Sequence, residues 1–541
     1  MHFLPVMTCA RARAWEKRFF DPLREHDGAP PRERDFMRRA GTRIAETVLD
    51  ELRGVPAQLL VLIGKGHNGG DAIIAAGRLL DAWSGTAVKF VFFADGWDAL
   101  APLTMDAYED FLRRHKAPPS LFYRSGNDLS ALERFVGDSV PAGTALMLDG
   151  IYGSSFRAPL REDVAAAFVS LNRLCARMLR VAVDLPSGLG DTSPCGNALV
   201  ADITCAAGIV KTPLLDPANA AFVGRVVPCA IGFPCDDCDS LAADPAHILE
   251  ILTRPRPAVC DKRDFGKILI VGGSRRFAGA LMMNVLAALR AGTGLVTAFC
   301  PESVHAAFVA RVPAAMWIPC KETADGDLEF ADVARKLDEG KWLDGETVRT
   351  VLCGSGIGRS PDAQAVVQKI AAETRAPARL VLDADAIFPQ NLKCCALRRE
   401  RDTFILPHEG EFARVADCLN CQPGQIPQSL HKSPVSGVIK KGRFTWVASA
   451  QSRPVLCCTG TPVLARGGSG DLLAGTVAGL LAQFPQGFSY EPEKSDDCRD
   501  LLVIAACWHG LAGQALQRQQ GERCADISRL PEFFNEALRK D

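Results

Sequence analysis

Ala465-Arg466-Gly467-Gly468-Ser469-Gly470-Asp471-Leu472-Leu473-Ala474-Gly475 runs three glycines and a serine straight into an aspartate and then an apolar helical pattern. Glycine lets a backbone approach a ligand closely, and the unbonded N–H groups of a helix start point at an anion. An aspartate beside such a hole is placed to take a proton from a hydroxyl that attacks a phosphoryl group. Alone, the segment reads equally well as a tight turn before a helix. Its neighbours in the chain tip the balance.

Within the same half, apolar strands are expected at 267–271, 295–300, 348–353, 379–382, 403–406 and 437–440, alternating with helical stretches. Helices are expected after Gly470 and over 500–517. The strands run into Gly272-Gly273-Ser274, Gly354-Ser355-Gly356-Ile357-Gly358, Asp383-Ala384-Asp385-Ala386, Pro407-His408-Glu409-Gly410-Glu411 and Lys441-Gly442. Each of these is an ordinary turn when taken singly. Together with the Gly-Asp loop they describe one pocket floor at the carboxyl edge of a parallel sheet, where α/β folds bind ligands. Lys441 would meet nucleotide phosphates as a point charge.

The first half repeats the logic with strands expected at 58–64, 87–93, 145–149 and 181–185. Gly64-Lys65-Gly66-His67-Asn68-Gly69-Gly70-Asp71 follows a strand and opens a helix. It is not a P-loop, since no Gly-Lys-Ser/Thr follows, and it lacks the third glycine of the dinucleotide fingerprint. Asp149 and Ser187 also stand at strand ends, so Asn68, Asp149 and Ser187 would converge as oxygen ligands for a hard cation. Each alone is commonly a cap or turn residue.

A chain of 541 residues, 48% hydrophobic and 23% charged, exceeds one core and calls for at least two domains. The turn-rich Ile231-Gly232-Phe233-Pro234 and acidic Cys235-Asp236-Asp237-Cys238-Asp239-Ser240 mark the break. The expected division is 1–240, a linker over 241–260, and 261–541. Residues 1–40 and 484–498 are the least patterned and read as loops. A net charge of −1 offers no electrostatic case for nucleic acid or an anionic membrane. No apolar run approaches the roughly 20 residues of a membrane span, and the first 20 residues do not form a signal peptide. A cytoplasmic protein and a homo-oligomer are expected. The twenty cysteines read as thiols of a reducing compartment. The pairs Cys235/Cys238 and Cys418/Cys421 would make a zinc site only if two distant segments met.

Asn68-Gly69-Gly70-Asp71, the loop Asp149-Gly150-Ile151-Tyr152-Gly153-Ser154-Ser155-Phe156-Arg157-Ala158-Pro159 and Asp184-Leu185-Pro186-Ser187-Gly188 resemble the NAD(P)H-hydrate epimerase domain. So does Ala201-Asp202-Ile203-Thr204 before Lys211. The resemblance implies a Rossmann-like three-layer α/β domain that interconverts the R and S forms of hydrated NAD(P)H. It implies a potassium ion on Asn68, Asp149 and Ser187, with Asp184 as base. Asn68, Gly69, Gly70, Asp71 and the segment from Gly153 to Pro159 would line the substrate.

The second half resembles the ribokinase-like fold and, within it, the ADP- or ATP-dependent NAD(P)H-hydrate dehydratase. The two halves stand in the order of the bifunctional bacterial repair enzymes. By motif, Lys441, Gly442, Gly467, Gly468, Ser469 and Gly470 would meet the nucleotide, while Ala280, Gly356, His408 and the catalytic Asp471 would meet the hydrate. Magnesium would accompany the nucleotide. Bacterial members imply ADP giving AMP and phosphate. Departures from the family pattern include His67, Lys65, Ala72 and Met37-Arg38-Arg39-Ala40-Gly41 in the first half, and Ser355, Glu409, Ala314, Thr461 and Asp261 in the second. The rival readings are a ribokinase-like small-molecule kinase that keeps its phosphorylated product, and a first half that binds without catalysing.

Overall fold

A computed structural model describes all residues except 1, 22–31, 53, 125–128, 138–144, 193–195, 341–346, 374–378, 397–401, 423–424, 428–429, 431–432, 451, 487, 489–497 and 540–541. The chain forms two compact α/β units, Met1–Asp244 and Pro245–Lys540.

The first unit is built on a seven-stranded sheet in the order Ser120–Phe122, Ala87–Phe92, Gln58–Ile63, Ala145–Gly150, Leu179–Val183, Ile203–Ala207, Arg225–Cys229. Every pairing in it is parallel. Strand side chains alternate between faces. Leu59, Val61 and Ile63 therefore pack with Ile44, Val48, Ile73, Leu79 and Phe111, from the helices Glu33–Glu51, His67–Ala82 and Pro102–Arg114. Leu60 and Leu62 pack on the other side with Leu132, Phe168 and Leu171, from Leu129–Gly137 and Glu162–Leu174. That is the expected three-layer arrangement.

From Gln58–Ile63 the chain adds two strands on one side, then crosses back to Ala145–Gly150 on the other. The strand order reverses there, so a crevice opens beyond the carboxyl ends of these two strands. Gly64 lies at that point, and a Cβ on it would stand 1.8 Å from the carbonyl oxygen of Ile151. Only glycine lets the two strand-end loops pass so closely.

The described residues of 1–40 are mostly strand and helix, where loops were expected. Phe3–Met7 is a strand that pairs antiparallel with Ser240–Ala243 and parallel with Val210–Lys211. Thr8 caps the helix Cys9–Phe19, its Oγ accepting the Arg11 N–H at 3.1 Å, and the helix Glu33–Glu51 follows. The strand hides in sequence because it is short, carries Pro5, and takes its register from partners two hundred residues away. The first helix buries only Cys9, Ala12 and Trp15 amid basic residues, a stripe too thin to register as amphipathic. The loop expected over 484–498 falls largely outside the described residues.

The second unit has strands in the order Met316–Cys320, Leu295–Pro301, Lys267–Val271, Thr350–Cys353, Arg379–Leu382, Thr403–Ile405, Gly437–Lys440, Thr445–Ser449, Val455–Cys457. The first seven are parallel and the last two antiparallel. The helices Ala278–Arg290 and Ser469–Gln483 cross in tight contact, since a Cβ on Gly475 would sit 2.2 Å from the Asn284 carbonyl oxygen. Close crossing fixes the start of the second helix, and with it the Gly-Asp loop.

The nineteen described cysteines are all thiols. Among the described residues no cluster of three or more His, Cys, Asp or Glu side chains is arranged to hold a metal ion. No described helix is long and apolar enough to cross a membrane.

Two candidate active sites

The crevice of the first unit opens into a cavity of about 670 Å³. Of the residues expected there from sequence, Asn68, Asp71, Gly153, Ser154, Ser155, Phe156, Arg157, Pro159 and Asp184 line it. Gly69, Gly70, Ala158, Asp149 and Ser187 do not, and Asp149 and Ser187 lie buried. The Ser187 N–H and Oγ donate to the two Asp149 carboxylate oxygens at 2.8 and 2.6 Å, and the Ile151 N–H adds a 3.2 Å bond. Ser187 Oγ in turn accepts the Tyr152 N–H at 2.8 Å. Asn68 stands beside this knot: a Cβ on Gly153 would touch its amide at 3.3 Å, and its buried Nδ2 has no partner among the described residues. Burial pushes the Asp149 carboxyl up to about 6 in spite of its hydrogen bonds to Ser187 and Ile151. The Asp149 carboxylate, the Ser187 hydroxyl and the Asn68 Oδ1 are oxygens of the kind a hard monovalent cation takes; the unpartnered Asn68 Nδ2 is a donor and adds nothing to that set.

Asp184 is one of four described non-glycine residues in the left-handed region, with φ 68°. Such backbone costs on the order of 1 kcal/mol or more and persists where its surroundings hold it. Here the Asp184 N–H donates to Cys205 O at 2.9 Å while the side chain turns onto the buried Lys211 ammonium in an ion pair. Burial alone would lower the Lys211 pKa, but the Asp184 and Glu16 carboxylates outweigh it and raise it. Asp71 is pushed well above the usual carboxylate range by burial and then by Asp184, and its Oδ1 has no partner among the described residues. The cavity thus offers a carboxylate paired with a lysine beside a buried carboxyl whose charged form is disfavoured.

Sequence reasoning missed two of these contributors. Lys211 marked a motif without a role, and its pairing with Asp184 depends on neighbouring strand ends. Glu16 lines the cavity from the helix Cys9–Phe19, a segment read as loop.

In the second unit the helix Ser469–Gln483 starts from Gly468, whose φ is 94°. Leu472 N–H makes the bond back to Gly468 O at 3.0 Å, which leaves the Gly470 and Asp471 amides at the helix start for an anion. Lys441 approaches the same loop: a Cβ on Gly470 would stand 3.3 Å from its Nζ. The Lys441 ammonium is already paired with the buried Asp383 carboxylate at 2.8 Å. Ser355 Oγ lies 3.4 Å from the other Asp383 oxygen and also hydrogen-bonds the Asp471 side chain. Burial, then the Asp383 charge, raises the Asp471 carboxyl to about 6, against the lowering pull of Ser355 and Lys441. A base with that pKa is ionised at neutral pH yet basic enough to accept a hydroxyl proton.

The remaining expected residues distribute unevenly. Gly356 has φ 64°, and a Cβ there would meet Phe277 O at 2.6 Å and Ala280 Cβ at 3.0 Å, so Gly356 and Ala280 are neighbours. Pro407 O accepts the Lys441 N–H at 2.8 Å, which sets the His408 segment beside that lysine. The His408 ring caps the helix Glu409–Val415, Nδ1 accepting the Gly410 and Glu411 N–H groups at 3.0 and 3.3 Å. With Nδ1 accepting, the ring proton sits on Nε2, 3.3 Å from Glu411 Oε1. Gly467 faces open space and Gly442 lies against Phe444 O. Ser469 is held from below by His509, whose Nε2 is 3.0 Å from Ser469 O. Burial lowers the His509 pKa to about 4, so the ring is neutral. His509 escaped notice in sequence because it stands in an apolar run 40 residues beyond the loop it supports.

Residues 268–531 match the family model described as NAD(P)H-hydrate dehydratase, and residues 33–213 match the model described as YjeF-related protein N-terminus. Over 501 residues the chain is 31% identical to the bifunctional NAD(P)H-hydrate repair enzyme Nnr of Gloeobacter violaceus, covering 89% of each chain. It is 32% identical over 442 residues to the Nnr protein of Thermosynechococcus vestitus, covering 79% of each. With the Nnr protein of Moorella thermoacetica it shares 29% identity over 521 residues, 93% of this chain and 92% of that one.

Proposed function

Because the chain belongs to the bifunctional NAD(P)H-hydrate repair enzymes, we propose the following division of labour between its two sites. Residues 261–541 dehydrate the S form of hydrated NADH and NADPH at the expense of a nucleotide, and residues 1–240 convert the R form to the S form, with 241–260 linking them. The phosphoryl donor is ADP, which leaves as AMP.

The hydroxyl at C6 of the hydrated nicotinamide is a poor leaving group at neutral pH. Asp471 takes its proton as the oxygen attacks the terminal phosphoryl group of the nucleotide, and the Gly467-Gly468-Ser469-Gly470 loop holds the developing charge on the amides left open at the helix start. Loss of phosphate then restores the ring. Lys441 and Gly442 lie along the phosphates, while Gly356, Ala280 and His408 hold the hydrate. Magnesium bound with the nucleotide supplies further charge neutralisation to the phosphates. The observation that carries this reading is the buried Asp471 at the anion-binding helix start, its pKa raised to about 6.

In the first unit Asn68, Asp149 and Ser187 would hold a potassium ion, which would neutralise the buried Asp149 and steady the loop from Gly153 to Pro159. Asn68, Asp71 and that loop bind the hydrate, and Asp184 is the base. The enzyme works in the cytoplasm as a homo-oligomer. Product analysis tests the dehydratase assignment: NADH, AMP and inorganic phosphate in equal amounts support it. A stable phosphorylated product would replace it with the small-molecule kinase.

A further inference from the structure

C6 carries both the hydroxyl and the ring nitrogen, so its configuration can invert by loss of the hydroxyl from one face and addition of water to the other. On that route one group donates a proton while a second accepts one. Asp184, paired with Lys211, fills only the accepting role.

The helix Cys9–Phe19 brings a further carboxyl to the cavity that Asp71 and Asp184 line. Its position is fixed at both ends. The Cys9 and Ala10 N–H groups donate to the Asp191 carboxylate at 2.7 and 2.8 Å, and Trp15 Nε1 donates to Asp236 Oδ1 at 3.1 Å. Arg13 donates to the carbonyl oxygen of Ser154, within the loop expected to line the substrate. Directly after Trp15, Glu16 lines the cavity that Asp71, Asp184 and Lys211 also line. No hydrogen bond to its carboxyl exists among the described residues, although the side chain is only partly exposed. A half-buried acid with no hydrogen-bond partner among the described residues, rigidly mounted on a ligand cavity, is a candidate for chemistry there.

We propose that Glu16 is the general acid of the epimerase half, working across the substrate from Asp184. This rests on the epimerase reading of the first unit. The Glu16 carboxylic acid protonates the C6 hydroxyl, the C–O bond breaks with its electrons going to oxygen, and water leaves. The ring nitrogen lone pair closes a C=N bond. Water then adds to C6 from the opposite face, its electrons forming the new C–O bond and those of C=N returning to nitrogen, while Asp184 takes the proton. Glu16 and Asp184 have exchanged protonation states, and proton exchange with solvent resets them. Water is the only co-reactant. The groups that set the Glu16 charge are Arg13 on its own helix, Glu33 on the next, and Asp71, Asp184 and Lys211 across the cavity. Burial first, with the acidic neighbours, raises its pKa above the usual value, which favours the protonated form the step needs.

The test uses the full chain with a mixture of NADH hydrate epimers, ADP, magnesium and potassium, read as NADH absorbance. The S form gives a first phase and epimerisation of the R form a second. In Glu16→Gln the first phase stays as in wild type. The second falls in kcat by about 10²–10⁴-fold, the usual worth of general acid catalysis, at nearly constant KM, and its alkaline limb against pH disappears. Glu16→Asp retains more second-phase rate than Glu16→Gln, and near-ultraviolet circular dichroism of both matches wild type. A second phase of wild-type kcat in Glu16→Gln, or a change in KM alone, overturns the assignment. A wild-type second phase no faster than the spontaneous rate overturns the epimerase reading and this assignment with it.

Discussion

Lys441 Nζ lies 2.8 Å from Asp383 Oδ1, joining strand ends 58 residues apart directly beneath the Gly-Asp loop. The pairing means that the lysine does not present a bare positive charge to Asp471. Asp383 instead adds a negative one, and Asp471 titrates near 6.

Asp383→Asn follows from this relationship. Removing the Asp383 charge frees the Lys441 ammonium, and both changes favour ionised Asp471. The acid limb of dehydratase kcat/KM moves to lower pH than in wild type. An unmoved limb would show that Asp383 does not set the base.

Asp471→Asn loses repair of both epimers, by about 10²–10⁴-fold for a general base, with the fold intact by circular dichroism. In the wild type the base must be ionised, so the rate rises with pH through about 6 and levels above it. Neutral His509, with its pKa near 4, contributes no limb in that range. Wild-type turnover by Asp471→Asn would remove Asp471 from the mechanism.

These relationships mark the boundary of what a reading of the residues captures. The glycine loops after strands were visible because a turn and a helix start are local, and Gly467 to Asp471 needs no distant partner to declare itself. The alternation that divides Leu59 from Leu60 is equally local, so the layers of the first unit followed. Lys441 was visible as a cation at a strand end, but its neutralisation by Asp383 depends on sheet order. Glu16 was invisible for a different reason. Its helix buries a narrow stripe, and the strand before it takes its register from Ser240–Ala243 at the far end of the unit.

Potassium should stabilise the first unit in a pH-dependent way. The Asp149 carboxyl is raised to about 6, so its contribution to stability is full below its ordinary value near 4 and is lost as pH rises through 6. A cation on the ionised carboxylate offsets that loss. The rise in Tm on replacing N-methylglucamine with potassium at constant ionic strength is therefore larger at pH 8 than at pH 5. Equal rises at both would contradict the site.

Lys211→Met leaves Asp184 buried without its cation. Breaking such a pair costs about 3–5 kcal/mol, seen as a fall in the denaturation midpoint of the first unit. Adding Asp184→Asn removes the stranded charge and restores most of the loss. A double variant no more stable than Lys211→Met would show that the pair is not coupled.

The most direct measurement is recovery of NADH absorbance from a mixture of R and S hydrates, with ADP or ATP, magnesium and potassium, by the purified chain. The account predicts full recovery with ADP, in a fast phase for the S form and a second phase for the R form that Asp184→Asn abolishes while sparing the first. Recovery that stops at the S fraction in the wild type would contradict the epimerase half, and no recovery with either nucleotide would contradict the repair function as a whole.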